Sequence, residues 1–150
     1  MFKRILVPLD GSENAEKVLA TVVAEAKCHK AAIVLLRVIA PLRQSLMTSP
    51  NLLAKVFKEL ESIAKESLEA VADKIRAEGI EVETVIERGQ PALRIHEIAQ
   101  NQSCDLIIIG THGETGNPRW RSGNVANKII RTQSPIPVLV ITTQPPKRSG

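Results

Sequence analysis

Residues 105–124 read DLIIIGTHGETGNPRWRSGN, an apolar run followed by a loop rich in glycine and hydrogen-bonding side chains. The run from Leu106 to Ile109 is continuously apolar, which is typical of a strand buried on both faces of a parallel sheet. Gly110 and Gly113 allow backbone conformations and close approaches that a Cβ would block. Gly123-Asn124 stands at the start of a predicted helix, whose free N–H groups favour anions. The stretch therefore predicts a central strand of an α/β fold followed by a phosphate-binding loop.

Strands and helices alternate along the whole chain. Apolar and β-branched runs predict five strands, at Lys3–Leu9, Ala32–Ile39, Glu81–Glu87, Leu106–Ile109 and Ile136–Ile141. Helical spacing of apolar residues predicts a helix between each successive pair, namely one after the N-cap candidate Ser12, one from about Ser49 to Glu78, one opening at Gly89-Gln90-Pro91 and one from about Asn124 to Thr132. This alternation requires a parallel sheet with right-handed crossovers and helices on both faces. The mixed, charged third run suits an edge of that sheet.

Composition indicates one globular domain. The chain has 150 residues, a net charge of +4 and three aromatic residues, none of them interleaved with a basic stripe, which argues against nucleic-acid binding. No apolar run approaches the roughly 20 residues of a membrane span, so no membrane partner is expected. The first residues lack the three regions of a signal peptide, and a cytoplasmic location is the expectation. Residues 143–150 are predicted to be a flexible tail, and residues 42–50 a long loop over the sheet.

The two cysteines, Cys28 and Cys104, have neither a metal-ligand nor a CxxC spacing. We interpret both as small buried hydrophobic residues near the ends of their elements. A redox role is therefore not expected.

Ligands of open parallel sheets collect beyond the carboxyl ends of the strands, where the strand order reverses. The candidate loops therefore follow each strand, and residues 110–124 form the richest of them. The common nucleotide motifs are absent, because the chain has no GxGxxG after its first strand and no GxxxxGK[ST]. The paired acids of a response regulator are missing as well. The residues alone thus predict an anion-binding crevice without naming its ligand.

A resemblance to a known family is more specific. Residues 5–12, ILVPLDGS, resemble the opening of the universal stress protein family, and Gly110-x2-Gly113-x9-Gly123 matches the spacing of its ATP-binding signature, G-x2-G-x9-G-(S/T). Supporting segments follow in order at Leu36-Arg37-Val38, Gly89-Gln90-Pro91 and residues 134–140. The resemblance covers roughly residues 2 to 142.

The resemblance implies a single Rossmann-like domain of the adenine nucleotide alpha hydrolase type over residues 1–142, with strand order 3-2-1-4-5. Asp10 and Gly110 would then face each other across the crevice between strands one and four. The residue matching Asp10 would hold the ribose, the one matching Val38 would lie at the adenine, and the signature residues would take the phosphates. The implied nucleotide-binding set is Pro8, Leu9, Asp10, Val38, Gly110, Thr111, His112, Gly113, Arg119, Ser122, Gly123, Asn124 and Val125.

The implied function is an adenine-nucleotide-binding regulatory module of a stress response, with ATP or AMP as ligand and Mg²⁺ as the ion that would accompany it. The chain departs from the signature at Asn124, which stands where the family has Ser or Thr. Asn can cap the helix and donate a side-chain N–H, but it is bulkier and lacks the hydroxyl. The alternative is therefore a dimeric interaction protein whose pocket is closed by Asn124 and the loop containing Trp120. Asp10 as a mere turn former also stays open.

No catalytic set is recognisable. His112 has no nucleophile or second base beside it in the sequence pattern, so we interpret it as a hydrogen-bonding loop residue rather than a catalyst. At most a slow ATPase activity is expected.

The last strand predicts self-association. An apolar strand at the end of a sheet would leave backbone groups unpaired, and such edges are commonly covered by another chain. The resemblance points to the same edge, so we predict a two-fold homodimer through Ile136 to Thr142. A further, unidentified protein partner is implied by a regulatory role.

Overall fold

Strands and helices alternate in the protein, which we describe from a computed structural model covering residues 1–11, 15–41, 49–111 and 124–142. The strands are β1 (Arg4–Pro8), β2 (Ala32–Ile39), β3 (Val82–Arg88), β4 (Leu106–Gly110) and β5 (Val138–Ile141). The helices are α1 (Ala15–His29), α2 (Pro50–Arg76), α3 (Pro91–Asn101) and α4 (Asn124–Arg131). The predicted elements are thus all present, and the bounds of β2 coincide with those predicted.

The five strands form one parallel sheet in the order β3-β2-β1-β4-β5. This is the α/β fold and strand order that the sequence and its resemblance predicted. The charged strand β3 lies at one edge, as its composition indicated, and β5 lies at the other. The uniformly apolar β4 is flanked on both sides, by β1 and β5, and its residues from Leu106 to Ile109 are buried.

Helices cover both faces of the sheet, because side chains of successive strand residues point to opposite faces. On one face, Ile5 and Val7 of β1 pack in a cluster with buried residues of α1 and α2. On the other face, Leu6 packs with buried residues of α3 and α4. We call these the α1–α2 face and the α3–α4 face. The chain therefore builds two apolar cores that share a single sheet.

Local sequence explains where the helices begin and end. Ser49 caps α2, since its Oγ accepts from the Leu52 N–H (3.4 Å) and Pro50 follows in the first turn. Pro91 likewise stands in the first turn of α3, where the N-cap residue Gln90 makes no side-chain capping bond. Gly79, predicted to end α2, has φ +83°, a left-handed conformation that glycine adopts without a Cβ penalty. The N-cap predicted at Ser12 lies outside the described residues.

The sequence interpretation is wrong for one of the two cysteines. Cys28 is exposed, whereas Cys104 is buried as expected. The buried stripe of α1 runs through Val22 and Ala26, and Cys28 follows Ala26 by two positions, about 200° around the helix. The helix period, rather than the residue type, decides its exposure.

The last strand begins at Val138, two residues later than predicted. The Ser134 hydroxyl donates to the Ile136 carbonyl (2.9 Å) and accepts from the Ile136 N–H (3.2 Å). These bonds hold a local turn in place of the strand conformation. No helix among the described residues is long and apolar enough to span a membrane.

Candidate functional site

We use the term seam for the line along which β1 and β4 pair in the middle of the sheet. Their backbone pairing does not reach the carboxyl ends of the two strands. Pairing across this seam joins Ile5 to Leu106 and Leu6 to Ile107. The outer pairings of the same two strands run further, to Pro8–Leu36 between β1 and β2 and to Gly110–Ile141 between β4 and β5. The backbone pairing of β1 with β4 therefore ends early, at the point where the strand order reverses, which is the expected ligand position in this class of sheet.

Pro8 explains part of this early end of pairing between β1 and β4. The Arg4 carbonyl accepts from the Asp105 N–H on the β4 side (2.9 Å), and the Leu9 N–H donates to the Leu36 carbonyl on the β2 side (2.8 Å). Successive strand residues direct their backbone groups to opposite neighbours, so the backbone of Pro8 faces β4. Proline has no N–H to donate there. The sequence thus removes a donor from the seam at the crevice.

Asp10 and Gly11 follow the end of β1 at the crevice. Gly11 has φ +85°, in the left-handed region that glycine favours. A Cβ built on Gly11 would lie 2.9 Å from Cζ and 3.1 Å from Nη2 of Arg37, and closer still to Nη1. Glycine is therefore favoured here by its backbone conformation, and a Cβ at this position would also displace the Arg37 guanidinium that packs on it.

Arg37 is the residue that sequence reasoning quoted without giving it a role. It lies near the end of β2, half-buried, between Leu36 and Val38. Burial lowers the pKa of its guanidinium from the ordinary value, and the negative charge of Asp10 opposes that shift. A charged side chain inside the otherwise apolar run of residues 32–39 is the sequence signal that could have identified it.

Thr111 follows β4 on the opposite side of the crevice. Its N–H donates to the Ile141 carbonyl (3.0 Å), which extends the β4–β5 pairing by one residue. Its Oγ1 is buried and has no hydrogen-bond partner within the described ranges. A buried hydroxyl normally has a partner, so Thr111 is a candidate for contact with a ligand.

The apolar members of the predicted site divide between the two faces. Val38 and Val125 are both buried in the cluster on the α3–α4 face. Leu9 is buried on the α1–α2 face, among core residues of α1. The structure thus brings Val38, at the end of β2, onto the same face as the first turn of α4, whereas Leu9 is enclosed in the other core.

The remaining predicted site residues lie in part beyond what the structure describes. His112, Gly113, Arg119, Ser122 and Gly123 fall outside the described residues, as does Trp120. Asn124 is the first residue of α4, which agrees with a helix opening there; its side chain is not described. Within the described segments, no group of three or more His, Cys, Asp or Glu side chains is arranged to hold a metal ion.

Comparisons with known proteins agree with this architecture. Residues 1–142 match the model of the universal stress protein family. A universal stress protein of Thermus aquaticus, encoded in the QAH/OAS sulfhydrylase 3′ region, is 31% identical, with 94% of this chain and 99% of that protein covered.

Solved structures show the same fold. MJ0577 of Methanocaldococcus jannaschii superposes with a TM-score of 0.82 at 30% identity, covering 97% of this chain and 99% of its own. The universal stress protein of Archaeoglobus fulgidus in complex with dAMP superposes with a TM-score of 0.66 at 25% identity, covering 93% and 97%. With a family match over residues 1–142 and relatives aligned over nearly their full length, this chain belongs to the universal stress protein family.

Proposed function

We propose that the protein binds an adenine nucleotide, ATP or AMP, in the crevice between β1 and β4 and acts as a regulatory module of a stress response. The observation that carries the proposal is the end of backbone pairing between these two strands at Leu6 and Ile107, where the strand order reverses, with Pro8 on one side and Gly110 on the other. The binding of dAMP by the Archaeoglobus fulgidus relative supports an adenine nucleotide as the ligand.

The residues at the crevice suit such a ligand chemically. Asp10 supplies a carboxylate that can accept from ribose hydroxyls, and Thr111 supplies a buried hydroxyl. Val38 and Val125 give an apolar surface on one side, and the N-terminus of α4 presents N–H groups that favour phosphate. The glycines of the signature, Gly113 and Gly123, are assigned to the phosphates through the family resemblance.

Calorimetric titration of the purified protein with ATP and AMP, with and without Mg²⁺, tests the proposal. We expect saturable binding, markedly weaker binding in Asp10→Ala, and wild-type binding in Asp73→Ala, a matched control on the exposed surface of α2. Asn124→Ser restores the hydroxyl of the signature and should bind at least as tightly. Absence of heat at millimolar ATP, together with no nucleotide carried through purification, would exclude the proposal.

A second candidate function, a dimeric interaction protein, is favoured by the edge strand β5. Val138 and Val140 pack on the α3–α4 face only in part, and Leu139 is 37% exposed. The far edge of β5 would leave its backbone groups unpaired in a monomer. We therefore propose a homodimer through Ile136 to Thr142, which is compatible with nucleotide binding and is the whole function if binding is absent.

A proline substitution tests the dimer with little effect on the sheet. The carbonyls of Pro137 and Ile141 accept from β4, so the backbone of Val140, in the alternate position, faces outward. Val140→Pro removes an outward N–H that pairing within the chain does not use. We expect the wild type to have the mass of a dimer in light scattering and Val140→Pro to have that of a monomer. A monomeric wild type would exclude the dimer.

A further inference from the structure

Arg37 and the turn after β1 depend on each other sterically. The guanidinium occupies the space where a Cβ of residue 11 would be, with Cζ 2.9 Å and Nη2 3.1 Å from that position. Gly11 itself has φ +85°. The arginine therefore packs directly on the backbone of the residue that follows Asp10, and this contact is available only while residue 11 has no Cβ.

The charge of Arg37 requires an explanation, because a half-buried cation on an apolar strand is unfavourable without a partner. Its neighbours on the same side of β2, Ile33 and Leu35, are fully buried in the core of the α1–α2 face. Asp10 supplies the opposing negative charge. Arg37 thus lies within electrostatic reach of the Asp10 carboxylate and packs on the residue that follows it.

We propose that Arg37 is a positioning residue, which holds the Asp10 carboxylate in the orientation that accepts the ribose hydroxyls of the nucleotide. This inference rests on the function proposed above. Arg37 lies on β2 and packs on the turn, so its contribution reaches the ligand through Asp10. It would determine selectivity for ribose over a sugar that lacks hydroxyls.

The test measures ribose selectivity, defined as the ratio of the dissociation constants of 2′,3′-dideoxy-ATP and ATP. Removing Arg37 in Arg37→Gln should weaken ATP binding roughly tenfold and leave 2′,3′-dideoxy-ATP nearly unaffected, so the ratio falls toward one. Arg37→Lys keeps the charge but loses the planar fork that packs on Gly11, so its ratio should be intermediate. Arg88→Gln, which removes a cation from the end of β3, is the matched control and should keep the wild-type ratio.

A double-mutant cycle separates an indirect role from a direct one. If Arg37 acts through Asp10, then Arg37→Gln should cause no further loss of ATP affinity in an Asp10→Asn background. Circular dichroism and thermal unfolding of each variant check that it is folded. If Arg37→Gln does not fold, the ratio for Arg37→Lys decides.

The outcomes distinguish the two proposals. Equal losses for both ligands, or additive effects in the cycle, would overturn the positioning role and leave nucleotide binding intact. An unchanged ratio in Arg37→Gln would do the same. No binding of ATP by the wild type would remove the proposed function, and the role of Arg37 with it.

Discussion

The two ends of the β1–β4 seam differ sharply. At the amino end, the Asp105 carboxylate accepts from the backbone N–H of Lys3 (2.8 and 3.1 Å) and of Arg4 (3.0 Å). The Arg4 guanidinium donates to Glu83 (2.6 Å) and Gln102 (2.9 Å), which ties β1 to the edge strand and to the end of α3. Backbone groups that the strand ladder leaves over are thus satisfied by side chains at this end.

At the carboxyl end, the backbone pairing of the same two strands stops after Leu6 and Ile107. Pro8 removes a donor from β1, and the Thr111 hydroxyl is buried with no partner in the part of the chain described. Gly11 takes a left-handed conformation beneath the half-buried Arg37. At the amino end, side chains thus satisfy backbone N–H groups, although Arg4 Nε is itself buried with no partner among the described residues. The carboxyl end instead keeps a buried hydroxyl and the half-buried charge of Arg37, features that often accompany binding sites.

The cysteine at the amino end of the seam, Cys104, is chemically unreactive. Burial raises the pKa of the Cys104 thiol to about 11, although the positive charge of Arg4 acts in the opposite direction. Because the thiolate is the reactive form, this cysteine stays protonated and unreactive near neutral pH. Cys104 therefore contributes packing to the amino end of the seam, in agreement with the sequence interpretation.

The largest effect on stability is expected from Asp105→Ala. It leaves two backbone N–H groups without their charged acceptor, which should lower the free energy of unfolding by about 2–3 kcal/mol. Urea unfolding measures the change. Asp73→Ala, which breaks an exposed pair with Arg76 on α2, is the matched control and should cost less than about 0.5 kcal/mol. Equal effects of the two substitutions would contradict a stabilising role for the amino end.

Gly11→Ala tests the turn that follows β1 at the crevice. The positive φ should cost about 1–2 kcal/mol of stability, and Gly79→Ala, at φ +83° with nothing within 4 Å of its Cβ, should cost the same. The clash at Gly11 is with the far end of a flexible side chain, so Arg37 should move aside with little further loss. ATP affinity should nevertheless fall roughly tenfold in Gly11→Ala alone. Equal ATP affinity in the two variants would separate Arg37 from binding.

The sequence predicted most of the fold because its strands carry clear patterns. The apolar run of β4 and the charged run of β3 indicated an inner and an edge position, and both are confirmed. The crevice between β1 and β4 followed from strand order, which came from the family resemblance rather than from the residues. Cys28 was misplaced because its burial was inferred from residue type rather than from its position on the helix.

The proposed role of Arg37 could not be predicted from the sequence, for a different reason. Its contact with Gly11 joins β2 to the turn after the neighbouring strand β1, at a glycine with a positive φ. A linear pattern shows a charge within an apolar run but does not show what the charge touches. The sequence also left the phosphate loop as a hypothesis, since Asn124 departs from the signature at its last position.

A smaller, stabilising effect is expected at the amino end of the sheet, where helices turn into strands. Ser103, after α3, has φ +55°, a conformation that disfavours residues with a Cβ. Ser103→Gly should raise the free energy of unfolding by about 0.5–1 kcal/mol, because glycine adopts this conformation readily at a helix C-terminus. Ser67→Gly, on the exposed side of α2, should instead lower it by about 0.5 kcal/mol. Thermal unfolding of both variants gives the two signs.

For Thr111→Val, the sign of the change in the free energy of unfolding matters more than its size. The substitution keeps the shape of the side chain and removes a hydroxyl that is buried without a partner among the described residues. Because the substitution breaks no hydrogen bond among the described residues, the free energy of unfolding should stay the same or rise by up to about 1 kcal/mol. ATP should then bind more weakly, because the ligand loses a hydrogen-bonding group at the crevice. Loss of stability with unchanged ATP affinity would show that Thr111 stabilises the fold and does not contact ATP. The carboxyl end of β4 would then stabilise the fold, as the amino end does.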